Sequence, residues 1–137
     1  MSYEILDHTA DAKFRAAGAE LEDAFKSAVE AFAEIVGTEG GEYRHEIEVE
    51  SENLEALLFD FLDRLIFLQD SEGVVIAEAE ELEIDEKEDS YRLEAKLLVD
   101  SIEPGMSLVD VKGPTYSEME VDYVEGEGWT LQAVLDI

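Results

Sequence analysis

Cysteine is absent from this 137-residue chain. Disulfides and thiolate metal sites are therefore excluded, and any metal must be held by oxygen or imidazole. Imidazole itself is scarce, with only 2 histidines. Basic residues are few: 9 lysines and arginines stand against 37 aspartates and glutamates, a formal net charge of -28. Such a surface repels phosphate, so direct binding of nucleic acid is not expected. No stretch approaches the ~18 consecutive apolar residues of a membrane span. The opening MSYEILDHTAD has neither the basic region nor the long apolar run of a secretory signal. A cytoplasmic protein without membrane association is the default expectation. The glycine-rich phosphate loop, the nucleophile elbow, HExxH and the EF-hand loop are also missing, so no catalytic residue is assigned.

What is present suffices for one domain, taken as residues 1–137. Hydrophobic residues make up 46% of the chain, enough apolar material for a single core at this length. The acid is spread along the sequence and interleaved with periodic apolar residues, which argues against a disordered acidic chain. It reads as a halophile's surface, whose self-repulsion is screened where the Debye length falls to about 3 Å in molar salt.

Two segments have helical period. Leu21, Ala24, Phe25, Ala28, Val29, Phe32, Ile35 and Val36 recur on one face, and Gly37 is a natural stop. Leu54, Leu57, Leu58, Phe61, Leu62, Leu65 and Leu68 form a second stripe, to about Gln69, with Ser51 placed to cap it. The other segments alternate as strands do. Tyr3–Leu6 and Lys13–Ala17 come first, with a polar turn from Asp7 to Asp11 between them. Tyr43–Val49, an interrupted Val74–Ile84 and Tyr91–Val99 follow, then a short strand at Leu108–Val111. Met119–Tyr123 and Trp129–Ile137 flank a hairpin turn at Gly126–Gly128. Two helices among strands, with no regular βα repeat, predict an α+β domain: the helices pack on a largely antiparallel or mixed β-sheet.

Alternation also indicates a site. Asp136 has the opposite parity to Trp129, Leu131 and Leu135, so it leaves the core face of the last strand, next to the main-chain oxygens of Ile137. A carboxylate beside main-chain oxygen is a hard-oxygen donor set, the kind that Ca²⁺ takes six to eight at a time. Asp7 or Asp11 supplies a second carboxylate if the first and last strands are neighbours. The bland alternative is that so acidic a chain brings two carboxylates together by chance. His8, beside Thr9, has an equally plain reading as a turn residue, and His45 shares the parity of Ile47 and Val49 as a strand residue.

The motifs themselves add to this. Asp7-His8-Thr9-Ala10-Asp11 resembles the DHTAD signature of the archease family. Gly18, then Leu21-Glu22-Asp23-Ala24-Phe25, is similar to the family's glycine and first helix start. Leu57–Leu62 followed by Asp70 resembles its second helix. Lys112-x-x-Thr115-Tyr116 resembles its KAVTYH motif, and Val134-Leu135-Asp136-Ile137 its hydrophobic-Asp-Ile terminus. The resemblance runs from end to end with the motifs in order. It departs where Ala12-Lys13-Phe14 replaces a small apolar pair, Glu20 a Thr or Ser cap, Gly113-Pro114 an Ala-Val pair and Ser117 a histidine. The resemblance implies an accessory factor of the RtcB-type tRNA-splicing ligase, promoting its guanylylation and multiple turnover. It also implies a calcium site at Asp11, Asp136 and Ile137. Lys112, which could meet a carboxylate or an anionic group of the ligase, and Asp7 and His8 are the further candidate residues.

Two other functions compete. A hydrolase using the metal as Lewis acid lacks a recognisable nucleophile or general base. A general chaperone or ion-binding module predicts a large exposed apolar patch or several metal sites, and the sequence displays neither.

Overall fold

The computed structural model describes residues 1–6, 11–38 and 40–137. In chain order the elements are β1 (Ser2–Leu6), β2 (Asp11–Gly18), α1 (Leu21–Val36), β3 (Tyr43–Ser51), α2 (Leu54–Glu72), β4 (Val74–Glu86), β5 (Tyr91–Ser101), β6 (Gly113–Val124) and β7 (Gly128–Asp136). The chain is α+β. Its strands form two antiparallel sheets, β1-β2-β7-β6 and β3-β5-β4.

Both helices begin and end for local reasons. Acidic Glu22 and Asp23 occupy the first turn of α1, where the helix dipole favours them, and the Asp23 carboxylate accepts from the Glu20 N–H at 3.4 Å. At the far end Gly37 donates its N–H to Ala33 O at 2.9 Å. In α2 the cap is Asn53, whose side chain accepts from Ala56 N at 2.8 Å. Ser51, expected in that role, instead ends β3 and donates its hydroxyl to Asp60 Oδ2 at 2.5 Å. The helix also runs on one turn past Gln69, to Glu72, before Gly73 closes it.

α1 packs against β1, β2 and β7 of the first sheet and β4 of the second, and α2 against β6 and against β3, β4 and β5. The predicted stripes supply the core: Phe14, Phe25, Phe32, Phe61, Leu93 and Leu131 are among its fully buried side chains. Phe25 and Phe61 join the helices with ring centroids 5.7 Å apart. Burying such aromatic side chains is worth about 2–3 kcal/mol each.

Three local expectations change. Leu108–Val111 is not a strand; Val109 donates its N–H to Val36 O at 2.9 Å, and buried Val111 joins the core from irregular chain. Asp11 is not in a turn but opens β2. The first and last strands are not neighbours either, because β2 lies between β1 and β7. Asp7, His8, Thr9 and Ala10 lie outside the described residues.

Candidate functional site

The β2–β7 register puts Asp11 directly opposite Asp136. On an antiparallel pair, directly opposed side chains share one face, with Cβ atoms about 5 Å apart. That face is the solvent side of the four-stranded sheet, because Ala12 and Phe14, on the other parity, pack into the core. Asp136 is exposed and Asp11 half-buried. Two like charges in this position repel each other and destabilise the pair unless something positive joins them. Asp11 has another interaction of its own in the fold.

β6 closes the other side of Asp136. Gly113 is its register partner, and Lys112 donates its backbone N–H to Asp136 O at 2.7 Å. This bond uses one lone pair of that carbonyl, so further main-chain oxygen at this end comes most readily from Ile137, which is 41% exposed. Lys112, singled out by its motif, is thus fixed at the site by its backbone, with its side chain exposed. The donor chemistry suits a hard cation: two carboxylates and main-chain oxygen, with no sulfur. Among the described residues no group of three or more His, Cys, Asp or Glu could hold a metal, so the remaining donors would be main-chain oxygen, water or groups from outside this set.

Beyond the carboxylates the same face carries a polar network. Lys13 Nζ donates to Glu118 Oε1 at 2.9 Å. Arg15 donates to Gln132 Oε1 at 2.7 Å, and Gln132 Nε2 donates to the Glu118 carbonyl at 2.8 Å. Beneath it Val134, though on the solvent side, is buried. β6 bulges where this network meets it, since its register jumps from Thr115↔Val134 to Glu120↔Gln132. Glu118, in that bulge, has φ 57°, the only positive φ of a non-glycine residue among those described. Such a residue costs about 1–3 kcal/mol and persists where its surroundings fix it. Earlier in the bulge Tyr116 stacks on Phe59 of α2, with ring centroids 4.2 Å apart and planes 3° from parallel.

The sequence reading missed both the network and the stack. Lys13 and Arg15 share the parity of Asp11, so alternation along β2 could have found them. Nothing local could have found the bulge, which depends on pairing with β7. Phe67 on α2 is 61% exposed and Tyr116 58%, two aromatic residues that the sequence reading did not single out as exposed. A concavity of about 600 Å³ lies on the other sheet, over Glu46, Glu48, Glu81, Glu83, Glu94 and Lys96.

Residues 3–137 match the sequence model of the Archease protein family (MTH1598/TM1083). Protein archease of Pyrococcus abyssi is 36% identical over 140 residues, covering 98% of each chain. That of Pyrobaculum neutrophilum is 38% identical over 141 residues, covering 98% of this chain and 95% of its own. The solution structure of Methanobacterium thermoautotrophicum protein 1598 superposes with a TM-score of 0.82 at 31% identity, over 98% of both chains. The crystal structure of an archease from Thermotoga maritima, described as a possible chaperone, shares the fold at a TM-score of 0.61 and 19% identity, over 96% of this chain and 94% of its own. The chain belongs to the archease family.

Proposed function

We propose that this chain is an accessory factor, not an enzyme: it activates a GTP-dependent RNA-splicing ligase of the RtcB type in the cytoplasm, promoting the ligase's guanylylation and turnover. Calcium held by Asp11, Asp136 and Ile137 is part of that reading. The observation that carries it is the cross-strand pairing of Asp11 with Asp136 beside Ile137, in a chain that matches the family from residue 3 to 137. When bound, the ion supplies positive charge between two carboxylates that otherwise repel. The chain's own residues do the rest. β2 and β7 hold the carboxylates in register, and Lys112 fixes the start of β6 against Asp136.

The test is ligase guanylylation at limiting metal. Asp11→Asn and Asp136→Asn should each weaken Ca²⁺ binding and abolish stimulation while the fold is retained. Glu83→Gln, on the exposed face of the other sheet, should stimulate like wild type. Full stimulation by both aspartate variants would sink the proposal. A second reading, a general chaperone, gains from the exposed Phe67 and Tyr116. It requires suppression of aggregation of unrelated unfolded proteins, and that activity should survive Asp136→Asn.

A further inference from the structure

The outward face of α2 is not what its burial calls for. Leu57, Leu58, Phe61, Leu62, Leu65, Ile66 and Leu68 fill the buried arc of this helix. Phe59, Asp63 and Phe67 recur at intervals of four on the opposite arc, facing outward. Phe67 keeps 61% of its surface in solvent and sits in a groove of about 460 Å³ between α2 and β3, with Val49, Asp60, Asp63 and Arg64. At the start of this stripe Tyr116 lies flat on Phe59. A parallel stack covers one face of each ring, and the 58% exposure of Tyr116 leaves its other face open to solvent. Glu55 and Asp63, one helical turn before and after Phe59, put an exposed carboxylate on either side.

We propose that this face docks an extended, arginine-bearing segment of the partner ligase, with a guanidinium on the open ring of Tyr116 and an apolar side chain on Phe67. The inference rests on the ligase reading and adds the contact surface to it. A planar guanidinium stacks on an aromatic face and takes carboxylate bidentately, which an ammonium group does not do. The carboxylates beside the ring supply the complementary charge. Phe59 and Phe67 are eight residues apart, a rise of about 12 Å along the helix. An extended chain covers that in about four residues, which sets the spacing of arginine and apolar anchor. The stack is also held in advance: the ties of Lys13 and Gln132 to Glu118 fix the bulge that carries Tyr116. Pre-ordered aromatic anchors of this type carry much of the binding energy in protein interfaces.

Affinity for the ligase, stimulation of guanylylation and the Ca²⁺-induced rise in Tm should be measured together. Phe67→Gln, at an exposed position, and Tyr116→Leu should each weaken ligase affinity about tenfold or more. Both should keep the Ca²⁺ response of wild type, and Tyr116→Phe should restore affinity. Wild-type affinity in both Phe67→Gln and Tyr116→Leu overturns the inference, while loss of stimulation in Asp136→Asn in the same experiment leaves the ligase reading standing. A wild-type chain that neither binds nor stimulates the ligase overturns both. Titration with acetyl-arginine amide, followed through the ring resonances of Tyr116 and Phe59, should shift them more than acetyl-lysine amide does. Equal shifts, or none with either, overturn the choice of arginine.

Discussion

Asp136→Asn should change the sign of its effect on stability when calcium is added. Without the ion, Asp136 faces Asp11 across the β2–β7 register. Their Cβ atoms are about 5 Å apart, and carboxylates at a similar separation would repel by about 0.8 kcal/mol at the dielectric of water and about 3 kcal/mol at an effective dielectric of 20. Asp136 is exposed, so the low end applies, about 1 kcal/mol. Asparagine removes the repulsion at nearly constant volume, and the ion-free variant should melt about 3 °C above wild type. With the ion at about a hundred times its Kd, wild type gains about 2.7 kcal/mol, roughly 8 °C, and the variant loses most of this gain. The order of melting temperatures then inverts. Asp136 is the cleaner position because Asp11 has a further interaction that asparagine would also disturb. Calorimetry in chelator and in excess CaCl₂, at low salt, reads both arms. A variant that melts below wild type in chelator and keeps the full calcium gain would refute the placement of the ion between these carboxylates.

The remaining predictions concern charge and packing. With a net charge of -28, Tm should rise steeply from dilute buffer to molar KCl as carboxylate repulsion is screened; a flat profile would remove the halophile expectation. Gly18→Ala should cost about 1–3 kcal/mol in denaturant unfolding, because a Cβ there would lie 2.5 Å from the Ala24 nitrogen where β2 meets α1; unchanged stability would show that the contact relaxes freely. The hydrogen bond from Arg92, then its charge, holds the Glu48 carboxyl below the ordinary value of 4.5. A depressed folded value gives stability that is present above pH 4.5 and lost as the pH falls through it. The Tm gap between wild type and Glu48→Gln, measured in molar salt, should therefore close on acidification; a gap that widens below pH 4 would contradict the sign.

Much of the fold was legible because its signals are local. The first stripe gives α1 its bounds, Leu21 and Val36, and alternation locates the strands that bury Ile47, Val49, Leu93 and Leu97. The parity of Asp136 placed it off the core face, where it lies. What escaped depends on partners distant in sequence. Division into two sheets follows from pairings such as Asp11 with Asp136, which no window of residues contains. The cap moved from Ser51 to Asn53 because strand pairing with Tyr91 holds Ser51 extended. Leu108, Val109 and Val111 read as a short strand because they are apolar, but the backbone N–H of Val109 bonds the end of α1. The α2 stripe predicted the buried face correctly and gave no weight to Phe59 and Phe67 on the other side.

The second sheet shows how so acidic a chain can pair strands at all. Across β3, β5 and β4 the solvent face has three successive rows: Glu46, Lys96 and Glu81; Glu48, Glu94 and Glu83; Glu50, Arg92 and Asp85. Like charges directly opposite destabilise a sheet, and a cation on the central strand faces a carboxylate on both sides. The middle row has none of its own. Arg92 compensates from the neighbouring row, reaching Glu48 at 2.8 Å and Glu94 at 2.9 Å. Lys96 meets Glu81 at 3.3 Å and Glu46 at 4.0 Å. These pairs are exposed, so each is worth at most about 1 kcal/mol, but a single cation here relieves two flanking repulsions at once. The acidic pair on the first sheet has no such cation in its own row, where Asp11, Asp136 and Gly113 lie side by side. The nearest basic side chain on that face of β2, Lys13, is turned to Glu118. Where the second sheet sets lysine and arginine of its own among the register partners of its carboxylates, the row at Asp136 has no basic register partner, and Asp11 in that row has a further interaction of its own.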